Sequence, residues 1–167
     1  MNEMKTQVRR YNQATIIDSP SHNALTSVRE DDFVVCSHLA RSISSAKALG
    51  FEQIHLSDRL FREVDLPYVE FGRVWLPVNW WAYLYRVLSF FGFSANGESI
   101  SMAKKRAKQA ASELIKLANK HDPVVFVGHG LLNQLIAKEL LSNSWVGPKK
   151  MDPSHWGVGV YERHRSS

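Results

Sequence analysis

An apolar strand pattern that passes through three residues into a helical pattern constrains the fold of this chain more than any other feature. Pro123 opens the run Val124–Val127, four consecutive apolar residues of the kind that form a strand buried on both faces. Gly128, His129 and Gly130 follow, and they lead directly into LLNQLIAKELL, a strong helical pattern. The sequence therefore predicts a strand, a tight turn and a helix, the unit from which parallel α/β sheets are built.

A second unit of the same kind lies earlier in the chain. The run Asp32–Cys36 (DFVVC) is short, apolar and contains β-branched residues, which suits a buried parallel strand. The residues Leu39–Leu49 alternate at helical spacing and stop at Gly50, a normal C-terminal signal of a helix. Two such units favour a mostly parallel sheet, since the rules for connections between elements allow few other arrangements.

The remaining patterns extend this alternation of strands and helices. We predict a short strand at Gln53–Leu56, a helix rich in aromatic residues at Trp75–Phe93, a long amphipathic helix at Glu98–Lys120 and a closing strand at Trp156–Glu162. The predicted fold class is α/β, with three layers (α/β/α) around a mostly parallel central sheet. No linker or repeat divides the chain, so residues 1–167 are expected to form one domain.

Composition excludes several classes of protein. Hydrophobic residues make up 44% of the chain and charged residues 22%, which argues against a disordered protein. The only cysteine, Cys36, cannot form an intrachain disulfide, and residues 1–13 lack the apolar core of a secretory signal. Arg86, near the centre of Trp75–Phe93, would cost about 2.5–3.5 kcal/mol in a bilayer. We therefore expect a cytoplasmic protein with no membrane partner.

The net charge of +5 favours anionic partners, and phosphorylated metabolites and nucleic acids both qualify. The basic residues between Lys104 and Lys108 lie on one predicted helix, where a solvated face is the simpler explanation. No recognised nucleic-acid-binding motif accompanies them. We therefore expect no nucleic-acid partner, and the charge alone does not say which other anion, such as a small phosphorylated molecule, is bound.

Polar residues that follow the predicted strands are the first candidates for a site, because ligands bind at the carboxyl ends of strands in open α/β sheets. His129 opens a helix, where free N–H groups favour an anion; it can donate a hydrogen bond to phosphate, transfer a proton or only fill a tight turn. Arg41, near the first turn of the earlier helix, can bind two phosphate oxygens or stand exposed without a specific contact. Glu63 could protonate a leaving oxygen if its pKa were raised, or be a surface glutamate.

Several short motifs occur in the order that one known enzyme family has. They are Cys36–Ser42 with Ser45 and Ala46, Phe61–Glu63, Glu98 with Ser99, Arg106, and Val127–Gly130 with Asn133. Together they resemble the histidine phosphatase, or phosphoglycerate mutase-like, superfamily over roughly residues 9 to 162. The resemblance implies a phosphoglycerate mutase-like fold and a phosphomonoester hydrolase. In this family a histidine takes the phosphoryl group covalently, and no metal or other cofactor is needed.

The resemblance also implies a role for each candidate residue. Arg41 would bind phosphate, and His129 would bind phosphate and stabilise the transition state. Glu63 would be the catalytic acid or base. This is catalysis by preorganised electrostatics. No cluster of cysteine and histidine with the spacing of a metal site occurs in the sequence, which agrees with the metal-independent chemistry that the family implies.

One departure from the family pattern is large. The family begins with an apolar strand that ends in Arg-His-Gly and supplies both the nucleophile and a phosphate-binding arginine, and no Arg-His-Gly occurs in this sequence. The closest N-terminal match, Val8–Asn12, aligns better with what normally follows that motif. We therefore expect a domain that is truncated before the nucleophile, nearly inert as given, with exposed strand edges that favour self-association. His38 would have to attack in line from within about 3–3.5 Å to replace the nucleophile, which a different strand does not readily provide.

Two hypotheses about function remain. The chain is either a phosphatase that has been clipped before its nucleophile, or a non-catalytic phospho-ligand-binding or protein-interaction domain derived from the same fold.

Overall fold

The computed structural model describes residues 18–64 and 98–163. The elements in chain order are α1 (His22–Thr26), β1 (Phe33–Ser37), α2 (Ala40–Ala48), β2 (Leu56–Asp58), a 3₁₀ helix (Arg59–Phe61), α3 (Ile100–Lys120), β3 (Val124–Val127), α4 (Gly130–Ser142), β4 (Trp145–Val146) and β5 (Glu162–Arg163). The helix predicted at Trp75–Phe93 and the N-terminal match at Val8–Asn12 lie outside the described residues.

The central sheet is parallel, with the strand order β2-β1-β3. The register of β1 against β3 runs from Phe33 beside Val124 to Cys36 beside Val127. On its other side β1 pairs with β2, up to Ser37 beside Asp58. The α/β fold with a parallel sheet is therefore confirmed, and β1 and β3 lie where the two apolar runs predict them, to within one residue.

Helices cover both faces of this sheet because successive residues of β1 point to opposite sides. Val34 packs with Ala46 of α2 and with Phe51, whereas Val35 packs in a second cluster formed largely by α3 and α4. Both valines are fully buried. Burying such a side chain stabilises the fold by about 1.5–3 kcal/mol. The three-layer arrangement follows directly from this alternation.

The long helix α3 buries a stripe of alanines and exposes a basic face. Ser99 caps its N-terminus, since its Oγ accepts a hydrogen bond of 3.1 Å from the backbone N–H of Met102. The buried residues are Ala103, Ala107, Ala110, Ala111 and Leu114. Lys104 and Lys108 are exposed on the other side. Of the helices in residues 18–64 and 98–163, none is long and apolar enough to cross a membrane.

The strand predicted at Gln53–Leu56 is displaced toward the C-terminus, and the observed strand is Leu56–Asp58. Phe51 and Ile54 pack in the core cluster under α2, ahead of the residues that pair with β1. Pairing with β1 begins only at Leu56. The sequence prediction was displaced here because apolar residues that pack in the core from a loop give the same short pattern as a strand.

The closing strand predicted at Trp156–Glu162 is wrong in both extent and position. Only Glu162–Arg163 is extended in a strand, and it pairs antiparallel with Trp145–Val146 in a separate two-stranded sheet. Trp156 has a φ of 65°, which no regular strand contains. Tyr161 also donates a hydrogen bond of 2.9 Å to the carbonyl oxygen of Pro148, which ties the segment to the loop after β4.

Candidate active site

The carboxyl ends of β1 and β3 meet at one edge of the sheet. Because Cys36 lies beside Val127, the residues that follow the two strands are also neighbours, and Ser37 reaches His129 there. Arg41 enters the same edge from the first turn of α2, which begins at Ala40. The strand–turn–helix units of the sequence thus deliver polar side chains to one place.

The structure brings the three predicted site residues to one cavity. Arg41, Glu63 and His129 all line it, at the carboxyl end of a wide, open groove that runs along the whole of β3 (Val124–Val127). The positive charge of Arg41 acts on both of the other side chains: it opposes the rise that burial causes in the pKa of Glu63, and it adds to the fall that burial causes in the pKa of His129. His38 is exposed and does not line this cavity. Convergence of a cation, a carboxyl group and an imidazole gives a site that can hold and protonate an anionic ester.

The backbone of His129 is fixed by Asn133. The N–H of His129 donates to Oδ1 of Asn133 at 3.0 Å, and one turn of α4 separates the two residues. A Cβ atom at position 128 would overlap both Oδ1 of Asn133 and the ring of Phe126, so glycine lets these two side chains pack directly against the turn. The turn between β3 and α4 is therefore closely packed, and the position of His129 is set by its neighbours.

The imidazole of His129 is buried and neutral near pH 7. Only 6% of the residue is exposed. Burial, followed by the charges of Arg41, His38 and Arg106, lowers its pKa from 6.5 to about 4. A neutral imidazole offers one N–H donor and one acceptor nitrogen. In this state His129 can donate a hydrogen bond to phosphate but holds no charge of its own.

Burial raises the pKa of Glu63 above its ordinary value, which favours the protonated acid. The backbone N–H of Val64, which donates to Oε1 at 3.0 Å, lowers the pKa, as do Arg41, the N–H of Leu132 and Arg106, but they do not cancel the effect of burial. A carboxyl group with a raised pKa can keep its proton nearer to neutral pH and give it to a leaving oxygen.

Arg106 holds the segment that carries Glu63. Its Nη1 donates to the carbonyl oxygens of Leu60 and Arg62 at 2.9 and 2.7 Å, and its Nε and Nη2 donate to the two carboxylate oxygens of Glu98 at 2.7 and 2.5 Å. Only 12% of the Arg106 side chain and 5% of the Glu98 side chain are exposed. Glu98 and Arg106 both belong to the family motifs found in the sequence, but the hydrogen bonds by which they hold the Glu63 segment could not be predicted from the sequence.

Sequence reasoning missed the contact between Ser37 and His129. Oγ of Ser37 lies 2.7 Å from Nε2 of His129, and both residues are buried. Ser37 belongs to one of the family motifs, yet the sequence assigned no role to it. The signal that could have found it is the position of each residue at the end of a strand, combined with the adjacency of those strands in the sheet.

A family model described as the histidine phosphatase superfamily (branch 1) matches residues 22–166. The chain belongs to this superfamily. The match confirms the resemblance that the motifs indicated, and it spans every described element of the fold. The order of the motifs was therefore a sound guide to the family.

The fold is shared with a solved structure of low sequence identity. The open reading frame Rv3214 from Mycobacterium tuberculosis superposes with a TM-score of 0.53 and 18% identity, covering 79% of this chain and 72% of that one. A protein from Escherichia coli K-12, proposed to be an alpha-ribazole-5'-P phosphatase, has a TM-score of 0.49 and 16% identity, and the match covers 79% of this chain and 73% of that one. TTHB049 from Thermus thermophilus has a TM-score of 0.47 and 23% identity, with coverage of 79% and 77%. A comparison with curated proteins found no match.

Proposed function

We propose that this histidine phosphatase superfamily member binds the phosphate group of a small phosphomonoester in the cavity at the carboxyl edge of its sheet. The observation that carries the proposal is that the charge of Arg41 acts on the side chains of both Glu63 and His129, residues far apart in sequence that line the same groove. A single arginine or a single histidine would be weak support, since either is often only a surface or packing residue. Their convergence with a carboxyl group is what favours a site.

Each side chain has a distinct task in the proposed complex. The planar guanidinium of Arg41 binds two phosphate oxygens at once. His129, neutral and buried, donates a hydrogen bond to a further oxygen and stabilises charge that develops there. Glu63, whose pKa is raised by burial, supplies or takes the proton of the ester oxygen.

We propose further that these 167 residues bind the ester without turning it over. Covalent phosphoryl transfer needs an attacking atom, the Arg-His-Gly motif does not occur in this sequence, and His38 lies outside the cavity that the other three residues line. Losing a nucleophile lowers rates by about 10⁴- to 10⁶-fold in well-studied hydrolases. The remaining groups would still orient phosphate.

Calorimetry with inorganic phosphate and an assay with p-nitrophenyl phosphate test both parts of this proposal. We expect saturable binding at pH 7 that Arg41→Ala weakens and that Lys104→Ala, a substitution of an exposed cation on α3, leaves unchanged. We expect no hydrolysis above background between pH 5 and 8. Turnover that survives in His38→Ala would contradict the missing nucleophile, and turnover that this variant abolishes would identify His38 as its replacement.

A second candidate function is a protein-interaction domain that no longer binds phosphate. The open edge of β3 favours it, because among residues 18–64 and 98–163 this strand pairs with β1 on one side and with no strand on the other. Unpaired strand edges associate readily, with a partner or with a second copy. Light scattering coupled to gel filtration measures self-association; a monomer at every concentration tested would count against it.

We also propose a cytoplasmic location. Cys36 is the only cysteine in the sequence, and it is fully buried in β1 with a pKa that burial raises, so it behaves as a small apolar side chain. A protein without disulfides suits a reducing compartment. Fractionation of cells that express the chain tests this, and recovery in the secreted fraction would refute it.

A further inference from the structure

The hydrogen bond between Ser37 and His129 joins a residue behind the cavity to one that lines it. Ser37 is fully buried and His129 lines the cavity. Oγ of Ser37 lies 2.7 Å from Nε2 of His129. Within the part of the chain that the structure describes, Nδ1 of His129 makes no hydrogen bond, so this is the ring nitrogen that remains for a ligand.

The direction of this hydrogen bond follows from the other contact of the hydroxyl group. Oγ of Ser37 already accepts the backbone N–H of Leu39 at 3.2 Å. Its own proton has one acceptor among the described residues, Nε2 of His129. The reverse direction, with Nε2–H donating, would leave a buried hydroxyl proton without an acceptor, which folded proteins avoid. Nε2 therefore accepts, and the proton of the neutral ring lies on Nδ1.

The backbone of Ser37 is held in place by a second buried serine. The backbone N–H of Ser37 donates to Oγ of Ser42 at 3.1 Å, and this Oγ donates to the carbonyl oxygen of Val127 at 2.6 Å. Ser42 is 2% exposed. The end of β1, the start of α2 and the end of β3 are thus tied together beside the imidazole, and this fixes the backbone that carries the Ser37 hydroxyl group.

We propose that Ser37 is a positioning residue that fixes His129 in the Nδ1–H tautomer, so that the imidazole presents a single N–H donor to the phosphate oxygens in the cavity. This inference rests on the proposed function for the identity of the ligand only. The tautomer itself is a property of the protein alone. Because burial and nearby cations also lower the pKa of His129 to about 4, the ring is neutral at pH 7 and its tautomer decides whether it can donate.

The test is ¹⁵N NMR of the full chain with labelled histidine at pH 7 and without phosphate, with His129→Gln used to assign the signals. We expect Nδ1 of His129 to carry the proton and Nε2 to have the chemical shift of an acceptor nitrogen. A protonated Nε2 in the unmodified chain would overturn the proposal. This measurement needs no variant of Ser37 to fold.

Ser37→Ala then tests whether the serine is the cause. We expect the ring to populate the Nε2–H tautomer and the affinity for inorganic phosphate to fall by about 3- to 10-fold, the usual effect of one hydrogen bond. Ser37→Thr, which keeps the hydroxyl group, should restore the Nδ1–H tautomer. Ser45→Ala, which removes a hydroxyl that contacts the backbone of Arg41 instead, should leave the tautomer unchanged.

The outcomes separate this inference from the proposed function. An unaltered Nδ1–H tautomer in Ser37→Ala would overturn the positioning role, whatever happens to phosphate binding. A tautomer that depends on Ser37 in a chain that binds no phosphate would support the positioning role while contradicting the proposed ligand.

Discussion

Replacing Arg106 with lysine tests whether one buried arginine holds the segment that carries Glu63. The guanidinium donates four hydrogen bonds of 2.5 to 2.9 Å, two to Glu98 and two to the carbonyl oxygens of Leu60 and Arg62. A lysine keeps the charge, but a single ammonium nitrogen cannot reach both groups of acceptors. The two carbonyl oxygens would then lose a charged donor in a mostly buried place.

The expected cost follows from those contacts. A hydrogen bond to a charged group contributes about 1.5–3 kcal/mol, and breaking a buried ion pair costs about 3–5 kcal/mol. Because the ammonium can still contact Glu98, we expect Arg106→Lys to lower the free energy of unfolding by about 2–4 kcal/mol. That is a large share of the free energy of unfolding of a typical domain, which is about 5–15 kcal/mol.

Urea unfolding followed by tryptophan fluorescence measures this change. Lys105→Ala is the matched control, since this exposed residue is adjacent on the same helix and should change stability by no more than about 0.5 kcal/mol. Glu98→Gln should be destabilising as well, because it weakens the same buried pair. An Arg106→Lys variant as stable as the Lys105 control would refute the role that we give to the guanidinium.

Three further predictions concern the edge of the sheet. Gly128→Ala should destabilise the protein by about 1–3 kcal/mol in urea unfolding, because the added methyl group overlaps Asn133 and Phe126. The pKa of His129 is about 4 in the folded state, below its ordinary value of 6.5. Between pH 6.5 and 4 the folded state therefore binds fewer protons than the unfolded state, and the free energy of unfolding falls as the pH drops through this window. The loss should reach about 3 kcal/mol at pH 4 and be absent from His129→Gln, so equal acid sensitivity of both proteins would contradict it. His38→Ala should lower the calorimetric affinity for phosphate far less than Arg41→Ala does, because His38 is exposed and its effect on His129 ranks behind burial and the charge of Arg41.

The two strand–turn–helix units could be predicted because their signals are local. The apolar runs around Val34 and Val125 and the glycine after α2 specify elements without knowledge of the rest of the chain. Gly50 has a φ of 98°, as a helix-ending glycine commonly does. Placing the candidate residues after the strands then needed only the rule that ligands bind at the carboxyl edge.

Features that depend on distant parts of the chain could not be predicted in this way. Ser37 and His129 are 92 positions apart, and their contact requires that β1 and β3 be neighbours in the sheet. The contacts of Arg106 with Leu60, in the 3₁₀ helix, and with Arg62, which follows it, span 46 and 44 positions. The strand predicted at Trp156–Glu162 was wrong because the alternation of apolar residues there fits a strand, whereas the backbone at Trp156 has a positive φ, which the sequence does not reveal.

A crystal structure with phosphate soaked into the protein tests the central claim most directly, because it shows where the anion binds. We expect phosphate in the cavity at the carboxyl edge, with two oxygens on the guanidinium of Arg41 and another accepting a hydrogen bond from Nδ1 of His129. Phosphate bound only along the exposed lysines between Lys104 and Lys108 would contradict the claim. The anion would then be attracted by solvated surface charge, and the cavity would have no affinity for it.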